Sequence, residues 1–280
     1  MAQEFNQKQE GQNNAALQSP SGRVFEAKAI RLLAHERHQR KLKRGAHAEN
    51  HFQILLRNVT AEQSMAQSEF RAAVEARMAL IASQGFPNYI GPQRFGHGGR
   101  NVQRAEQWFG NKNKKKRTSR TQRSLWLSSA RSAIFNIVCA TRVRNHSWQQ
   151  LLEGEPAMLD GSKSFFSTSI DADSQAEELQ SRIDAFDIHP SAPWWGRGNS
   201  LAVGACKEFE EQLLQPYGSL LTGLENAGLD QQRRAIRGLV RNLAFQWLDD
   251  ETIAIEFSLN AGLYATMVLN ELCVTKFSPH

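Results

Sequence analysis

His51 to Pro87 reads HFQILLRNVTAEQSMAQSEFRAAVEARMALIASQGFP, and the change of hydrophobic period inside it is the clearest structural signal in the chain. Phe52, Ile54 and Leu56 alternate with polar neighbours, as side chains on one face of a strand do, so 51–59 reads as a strand. Phe70, Val74, Met78 and Ile81 then recur at three- and four-residue spacing, the stripe of a helix buried on one side. Thr60 with Gln63 three residues on has the form of a capping box, in which each side chain satisfies an orphan backbone N–H, and it places the helix start there. Gly85 and Pro87 stop the helix.

Outward from this unit, Phe86 to Asn101 (FPNYIGPQRFGHGGRN) is a loop by its Gly and Pro content, and Val102 to Phe109 a helix. Lys112 to Arg123 holds seven Lys/Arg in twelve residues and no acid, which reads as a linker or an RNA-facing loop. Ser124 to Val143 is an apolar helix. Residues 146–228 are acidic and mixed, with an amphipathic helix at Glu177–Phe186 and a loop at Pro190–Asn199 holding Trp194 and Trp195. Ile253, Ile255 and Phe257 share one face of a strand at Thr252–Phe257, and Asn260-Ala261-Gly262 leads into a helix over about Leu263–Val274. No internal repeat is visible.

Charge is distributed unevenly. Residues 1–150 carry 25 Lys+Arg against 9 acids, all glutamate, whereas 151–280 carry 9 against 19, for the total of +6. A basic half of this kind points to a polyanion, nucleic acid above all; a solvated basic surface without a partner satisfies the same count. No aspartate occurs before Asp160. Residues 1–18 are Gln/Asn-rich without an apolar stretch, unlike a secretory signal and like a disordered tail. Nothing approaches the roughly 20 apolar residues of a membrane helix, and mean hydropathy is −0.52. Cys139, Cys206 and Cys273 are odd in number and far apart, which excludes a disulfide framework and any Cys-x-x-Cys site and suits a reducing, cytoplasmic setting.

Several chemistries lack their residues. The glycines between Gly91 and Gly99 have no Gly-Lys-Ser/Thr ending and no third glycine at the dinucleotide offset, so no nucleotide cofactor is indicated. His47 and His51 have the i, i+4 spacing of a zinc helix, but Ala48-Glu49 is not the protease arrangement and no third ligand accompanies them. These histidines, with His35 and His38, read as packing or RNA-contact residues, and no metal is expected. No Gly-x-Ser-x-Gly elbow is present. The basic clusters Arg37–Arg44 and Lys112–Arg123 are flanked by Phe52, Trp108, Phe109 and Trp126. Basic residues grip phosphates and aromatic faces accept unstacked bases; aromatics in a core beneath solvated charges are the other reading.

NYIGPQRFGHGGRNVQRAEQWF (88–109) resembles the signature of TruD-type tRNA pseudouridine synthases, whose version begins Asn-Tyr-Phe-Gly. HxRKLxxG (38–45), RSLWLSSARSAIFN (123–136) and LNAGLYATMVLNEL (259–272) match in the same order, and GEPAMLDGSKSFF (154–166) resembles the family's insertion domain. The resemblance spans about Ile30 to Thr275. It implies an α+β fold, a pseudouridine-synthase-like mixed sheet at 30–113 and 239–280 interrupted by an inserted α/β domain at 114–238, with 1–29 divergent and disordered and the N-terminal part of the fold missing. It implies an enzyme that isomerises uridine, typically at position 13 of tRNA, without cofactor or metal. Asn88 takes the place of the family's substrate-contacting asparagine, and Tyr264 sits where a Phe is usual, placed to stack on the flipped uracil; a core-packed helix residue is the alternative for Tyr264. Arg40, Lys41, Arg44 and Arg94 are the expected RNA contacts.

The sequence also departs from the family. The nucleophilic aspartate belongs to a Gly-x-Lys-Asp segment upstream of the HxRKL block, and no counterpart is present here; the catalytic residue is therefore unassigned. Residues 1–29 do not resemble the family's N-terminal region, which brings a further aromatic contact, and Ile90 replaces the usual Phe. Three outcomes follow: an incomplete synthase, a synthase whose nucleophile arrives on a second chain, or a non-catalytic tRNA-binding protein derived from one. Missing strands would leave an open sheet edge.

Overall fold

The computed structural model describes residues 17–18, 24–25, 37, 47–61, 65–111, 118–168 and 176–272, the first two pairs by backbone alone. The chain divides into two units, Met1–Ala46 and His47–His280. In the first, β1 (Leu17–Gln18) pairs antiparallel with β2 (Val24–Phe25). The N-terminal tail and the basic run that includes Arg40, Lys41 and Arg44 lie outside the described residues, as do Lys112–Arg117.

The second unit is a mixed α+β body built on three hydrophobic clusters. The first forms around an antiparallel sheet in the order β11-β12-β3, made of β3 (Glu49–Leu56), β11 (Arg241–Trp247) and β12 (Ile253–Asn260). Phe52, Ile54 and Leu56 lie opposite Phe257, Ile255 and Ile253, so both alternating sets fall on one face, and the Phe52 and Phe257 rings sit 5.5 Å apart. Such directly opposed pairs are what stabilise a sheet. Helix α1 (Gln67–Gln84) covers this face with Val74, Met78 and Ile81. It starts seven residues after Thr60 and its N-cap, Ala66, makes no side-chain cap. The capping box at Thr60/Gln63 therefore does not open the helix. The outer face of the sheet leaves Leu55 and Phe245 exposed beside a shallow groove of about 450 Å³.

Gly85 ends α1 at φ +77°, and a Cβ there would stand 2.4 Å from the Gly238 carbonyl oxygen, so neither the backbone nor the space admits a side chain. This close approach lets β4 (Phe86–Pro87) pair antiparallel with β10 (Arg237–Gly238). Two single-turn 3₁₀ segments follow, at Pro92–Phe95 and His97–Gly99. Helix α2 (Arg100–Gly110) comes next and then α3 (Arg120–Arg144). Ser119 and Gln122 form a true capping box on α3, so Arg120–Arg123 is helical and not part of a loop. The apolar face of α3 (Ala130, Ile134, Phe135, Val138, Cys139) centres the second core. It packs there with Ile90, Ala105, Ala192, Ile236, and Leu214, Leu220 and Leu224 from α5 (Gly204–Leu214) and α6 (Gly218–Asn226).

The third cluster joins Ala157, Ile183 and Ile188 beneath a sheet in the order β6-β5-β7, made of β5 (Pro156–Leu159), β6 (Phe165–Ser167) and β7 (Ile188–His189), with α4 (Ala176–Asp184). Residues 191–194 are not loop: β8 (Ser191–Trp194) pairs with β9 (Gln232–Ala235). The final helix, α7, is short, Ala265–Asn270, with Tyr264 as its N-cap. His51 lies on β3, its Nε2 3.0 Å from Glu256 Oε1, so the spacing from His47 falls on a strand and its approach.

Buried charges tie these clusters together. Arg142 on α3 donates to Glu155 Oε2 at 2.7 Å, to Ser147 O and to Gln150 O, while Glu155 accepts the backbone N–H groups of Leu152 and Ser191. Both side chains are essentially fully buried. Arg237 Nε donates to His189 Nδ1 at 3.0 Å, which fixes the proton of a neutral imidazole on Nε2, where it donates to Asp160 Oδ1 at 3.0 Å. Asp160 also binds Arg241 of β11.

Two expectations follow. Glu155→Gln leaves Arg142 buried without its counter-charge and is expected to cost about 3–5 kcal/mol, read as a lower urea midpoint at unchanged slope; a shift below about 1 kcal/mol contradicts this. The hydrogen bond from His189, together with the Arg241 guanidinium, holds the Asp160 carboxyl below its ordinary value of 3.8. A carboxyl lowered by folding stabilises above the unfolded value and loses that contribution as pH falls through the folded one. Asp160→Asn should therefore be less stable than wild type at pH 7, with the gap closing below about pH 4.

Candidate functional site

Tyr89 and Tyr264 each pack against both the first and the second core, and the groups singled out from the sequence gather at this seam. Asn88 follows β4 and is buried. Its backbone N–H donates to Ile236 O at 2.8 Å and its Nδ2 to Ala235 O at 2.7 Å. Its Oδ1 accepts from Arg234 Nη2 at 3.0 Å. One amide hydrogen and one lone pair remain for a further partner. Ile90 is buried behind it, its N–H and C=O both bonded to the Asn136 amide at 2.9 and 3.0 Å. One side chain thus fixes the Asn88–Gly91 turn to α3.

Arg94, in the first 3₁₀ segment, donates from Nε and Nη2 to the Tyr264 hydroxyl at 3.2 and 2.9 Å, and from Nη1 to Ser128 Oγ at 3.0 Å. Ser129 Oγ returns a 2.7 Å bond to the Arg94 carbonyl. The phenol is thereby held at its oxygen end by Arg94 and at the other by the α7 start, which fixes the long axis of the ring.

The sequence reading missed Arg234. From β9 its Nη2 bridges Asn88 Oδ1 and Gly262 O, both at 3.0 Å, joining the Asn88 turn to the approach to Tyr264. Its guanidinium lies 5.3 Å from the Phe135 ring centroid and 5.6 Å from that of Trp194, and Arg131 lies 5.5 Å from the same Trp194 ring. Such cation–π contacts favour a cation withdrawn from water. Burial pushes the Arg234 guanidinium down to about 10, with Arg94 adding to the fall against Tyr264 and Cys139, so it stays charged at neutral pH. Burial, followed by Cys139 and Glu271, pushes the Tyr89 phenol up to about 12, which keeps it protonated. The available signal was the cluster Arg233, Arg234, Arg237, Arg241 in an otherwise acidic half.

Asn88, Arg94 and Tyr264 are therefore brought together, and Arg40, Lys41 and Arg44 lie outside the described residues. Phe52 packs on the first core, and Phe109 and Trp126 on the second. Arg100 and Arg104 on α2 and Arg120 and Arg123 on α3 are exposed. The described aspartates bind elsewhere: Asp160 to His189, Asp184 to Gln180, Asp187 to Arg182, Asp230 to Arg197, Asp249 to the Glu251 N–H and Asp250 to Arg71. The site presents an aromatic ring and two guanidiniums, and no described carboxylate bonds to its residues. Among the described residues there is no group of three or more metal-ligating side chains, and no helix is long and apolar enough to cross a membrane.

The family model for tRNA pseudouridine synthase D (TruD) matches residues 15–105 and 111–272. The tRNA pseudouridine synthase D of Methylococcus capsulatus is 44% identical over 260 residues, which cover 93% of this chain and 69% of that protein. Its counterpart in Aeromonas salmonicida is 40% identical over 262 residues, with the same two shares. A solved structure from Methanosarcina mazei, assigned to tRNA pseudouridine synthase D, superposes with a TM-score of 0.68 at 18% identity, over 88% of this chain and 75% of that one.

If the Tyr264 hydroxyl is what holds Arg94, Tyr264→Phe and Arg94→Gln should each cost about 1–2 kcal/mol, and the double variant little more than either. Urea melts of the four proteins measure the coupling; simple additivity would show that the contact contributes nothing.

Proposed function

This chain belongs to the tRNA pseudouridine synthase D family, and from that membership we propose that it acts in the conversion of uridine to pseudouridine in tRNA, at position 13, with the described residues forming the substrate-holding side of the site. The observation that carries this reading is the convergence of Asn88, Arg94 and Tyr264, far apart in sequence, on one seam between two cores.

The reaction conserves atoms. The bond from N1 of uracil to C1′ of ribose breaks, the base turns, a bond from C5 to C1′ forms, and the proton leaves C5 while N1 regains one. No redox partner or cofactor is required by that balance. The target base has to leave its stack, which costs a few kcal/mol, and phosphate contacts from the basic first half offset part of that cost. In this reading the Tyr264 ring, anchored at its hydroxyl by Arg94, walls the flipped uracil. The remaining Asn88 amide hydrogen is available to a carbonyl of the base or to a ribose oxygen. The first core draws on residues 52–89 and 240–272, which supports one domain shared by these two stretches, while Ile90, Val102 and Ala105 pack with α3 in the second core. A cytoplasmic location suits a tRNA substrate.

The nucleophile is the open element. Residues 1–159 contain no aspartate, and the described aspartates after that point bind away from the site. We infer that the catalytic carboxylate is supplied by a second chain carrying the family's Gly-x-Lys-Asp segment. The same observation favours one other reading, a tRNA-binding protein without isomerase activity.

Carbodiimide labelling with primer extension on an unmodified tRNA transcript tests this. With the chain alone, salt-dependent tRNA binding and no enzyme-dependent stop are expected. Adding a polypeptide that carries the family's Gly-x-Lys-Asp segment should produce the stop; binding without a stop under both conditions supports the non-catalytic reading. A stop with the chain alone would place the nucleophile within this sequence and overturn the assignment.

A further inference from the structure

Among the described residues, two buried arginines meet a carboxylate, Arg142 with Glu155 and Arg233 with Glu210, and two are held by backbone carbonyls, Arg131 by those of Trp195 and Asp230 and Arg237 by those of Ile183 and Ile188 with His189. Arg94 and Arg234 also meet no carboxylate, and every hydrogen bond of the two goes to a neutral oxygen: the Tyr264 hydroxyl, Ser128 Oγ, Asn88 Oδ1 and Gly262 O. The two guanidiniums also repel each other across Tyr264, Arg94 contributing to the lowered affinity of Arg234 for its proton. Arg234 Nε, moreover, is buried and bonded to nothing. Two half-buried cations at one seam, Arg94 on the Tyr264 hydroxyl and Arg234 on the Gly262 carbonyl, with no counter-charge, form an arrangement that an anion would complete.

We infer that Arg94 and Arg234 together form a single anion site that holds one phosphodiester of bound RNA beside the Tyr264 ring. Guanidiniums suit this ligand because their forked N–H groups match the paired oxygens of a phosphate. Arg94 holds the hydroxyl of the Tyr264 ring and Arg234 the carbonyl of Gly262, two residues before it, so the phosphate they reach would be one adjoining the flipped nucleotide, and its capture would help hold the extruded backbone. The inference rests on the tRNA reading above for the identity of the anion, and on the arginine pair alone for its existence.

The test uses the full chain and three variants, Arg94→Gln, Arg234→Gln and the double, with Arg234→Lys as a charge-retaining control should the glutamine variant unfold. Binding of an unmodified tRNA transcript is measured from low to moderate salt. Each single variant should reduce the slope of log affinity against log salt by about one phosphate contact. The double variant should reduce it by no more than either single, because both side chains serve the same phosphate. Unchanged slopes overturn the proposal, and so does a double variant that loses two contacts, which would mean separate phosphates.

A second arm needs no tRNA. Inorganic phosphate, compared with chloride at matched ionic strength, should raise the melting temperature of wild type more than that of either variant. The variants correct for the general stabilising effect of phosphate on any folded protein. A phosphate response without tRNA binding would retain the anion site and reject the tRNA reading. Slope changes in tRNA with no phosphate response would confine the site to polymeric RNA and support the proposal. Failure in both arms, with both variants less stable than wild type, would assign the pair to a protein carboxylate and overturn it.

Discussion

A guanidinium that leaves water must find a full set of acceptors, and that constraint shapes the second unit more than any single apolar contact. Arg142 gathers the 147–155 turn around the end of α3 through Glu155 and two carbonyls. Arg233 binds both oxygens of Glu210 on α5 and two groups of Ser191. Arg237 collects the carbonyls of Ile183 and Ile188 together with His189. Each is a many-armed tether between elements that contribute little to a common apolar core. Removing one arm is costly because the charge stays behind.

The candidate site inherits its geometry from the same economy. Tyr89 and Tyr264 belong to two cores at once, so neither ring can shift without disturbing both. Asn136 grips the two backbone groups of Ile90 as a neighbouring strand would, holding the Asn88 turn without a sheet to hold it. A candidate site assembled in this way is held by the protein's own contacts, and preorganisation of that kind lowers the ordering cost of any association. The exposed arginines of α2 and α3 add positive charge to the surface of the basic half.

Periodicity made the strand–helix unit of β3 and α1 and the strand β12 legible, because one alternating set and one helical stripe face the same core. It misplaced the start of α1, since a capping box is a local option that tertiary packing did not take up at Thr60. The strand β8 was read as a loop because Pro193 and two tryptophans mask a four-residue strand whose partner lies some forty residues away. Asn88, Arg94 and Tyr264 could be named from the family motifs, and the structure does place them together. Arg234 could not: adjacent arginines look like solvated surface until β9 sends them to opposite sides. Motif resemblance also could not show that the Asn88 amide is largely committed to Ala235 and Arg234.

That strand carries a last consequence. The β8–β9 ladder has only four paired positions, and a ladder so short would ordinarily slip by one residue at little cost, since apolar alternation is what fixes register. Here a slip would exchange Arg233 and Arg234, carrying one guanidinium away from Glu210 and the other away from Asn88. Both misplaced charges would be stranded at once. The alignment of this small ladder is thus proofread by electrostatics, and a correctly formed site certifies that the strand beneath it has paired in frame.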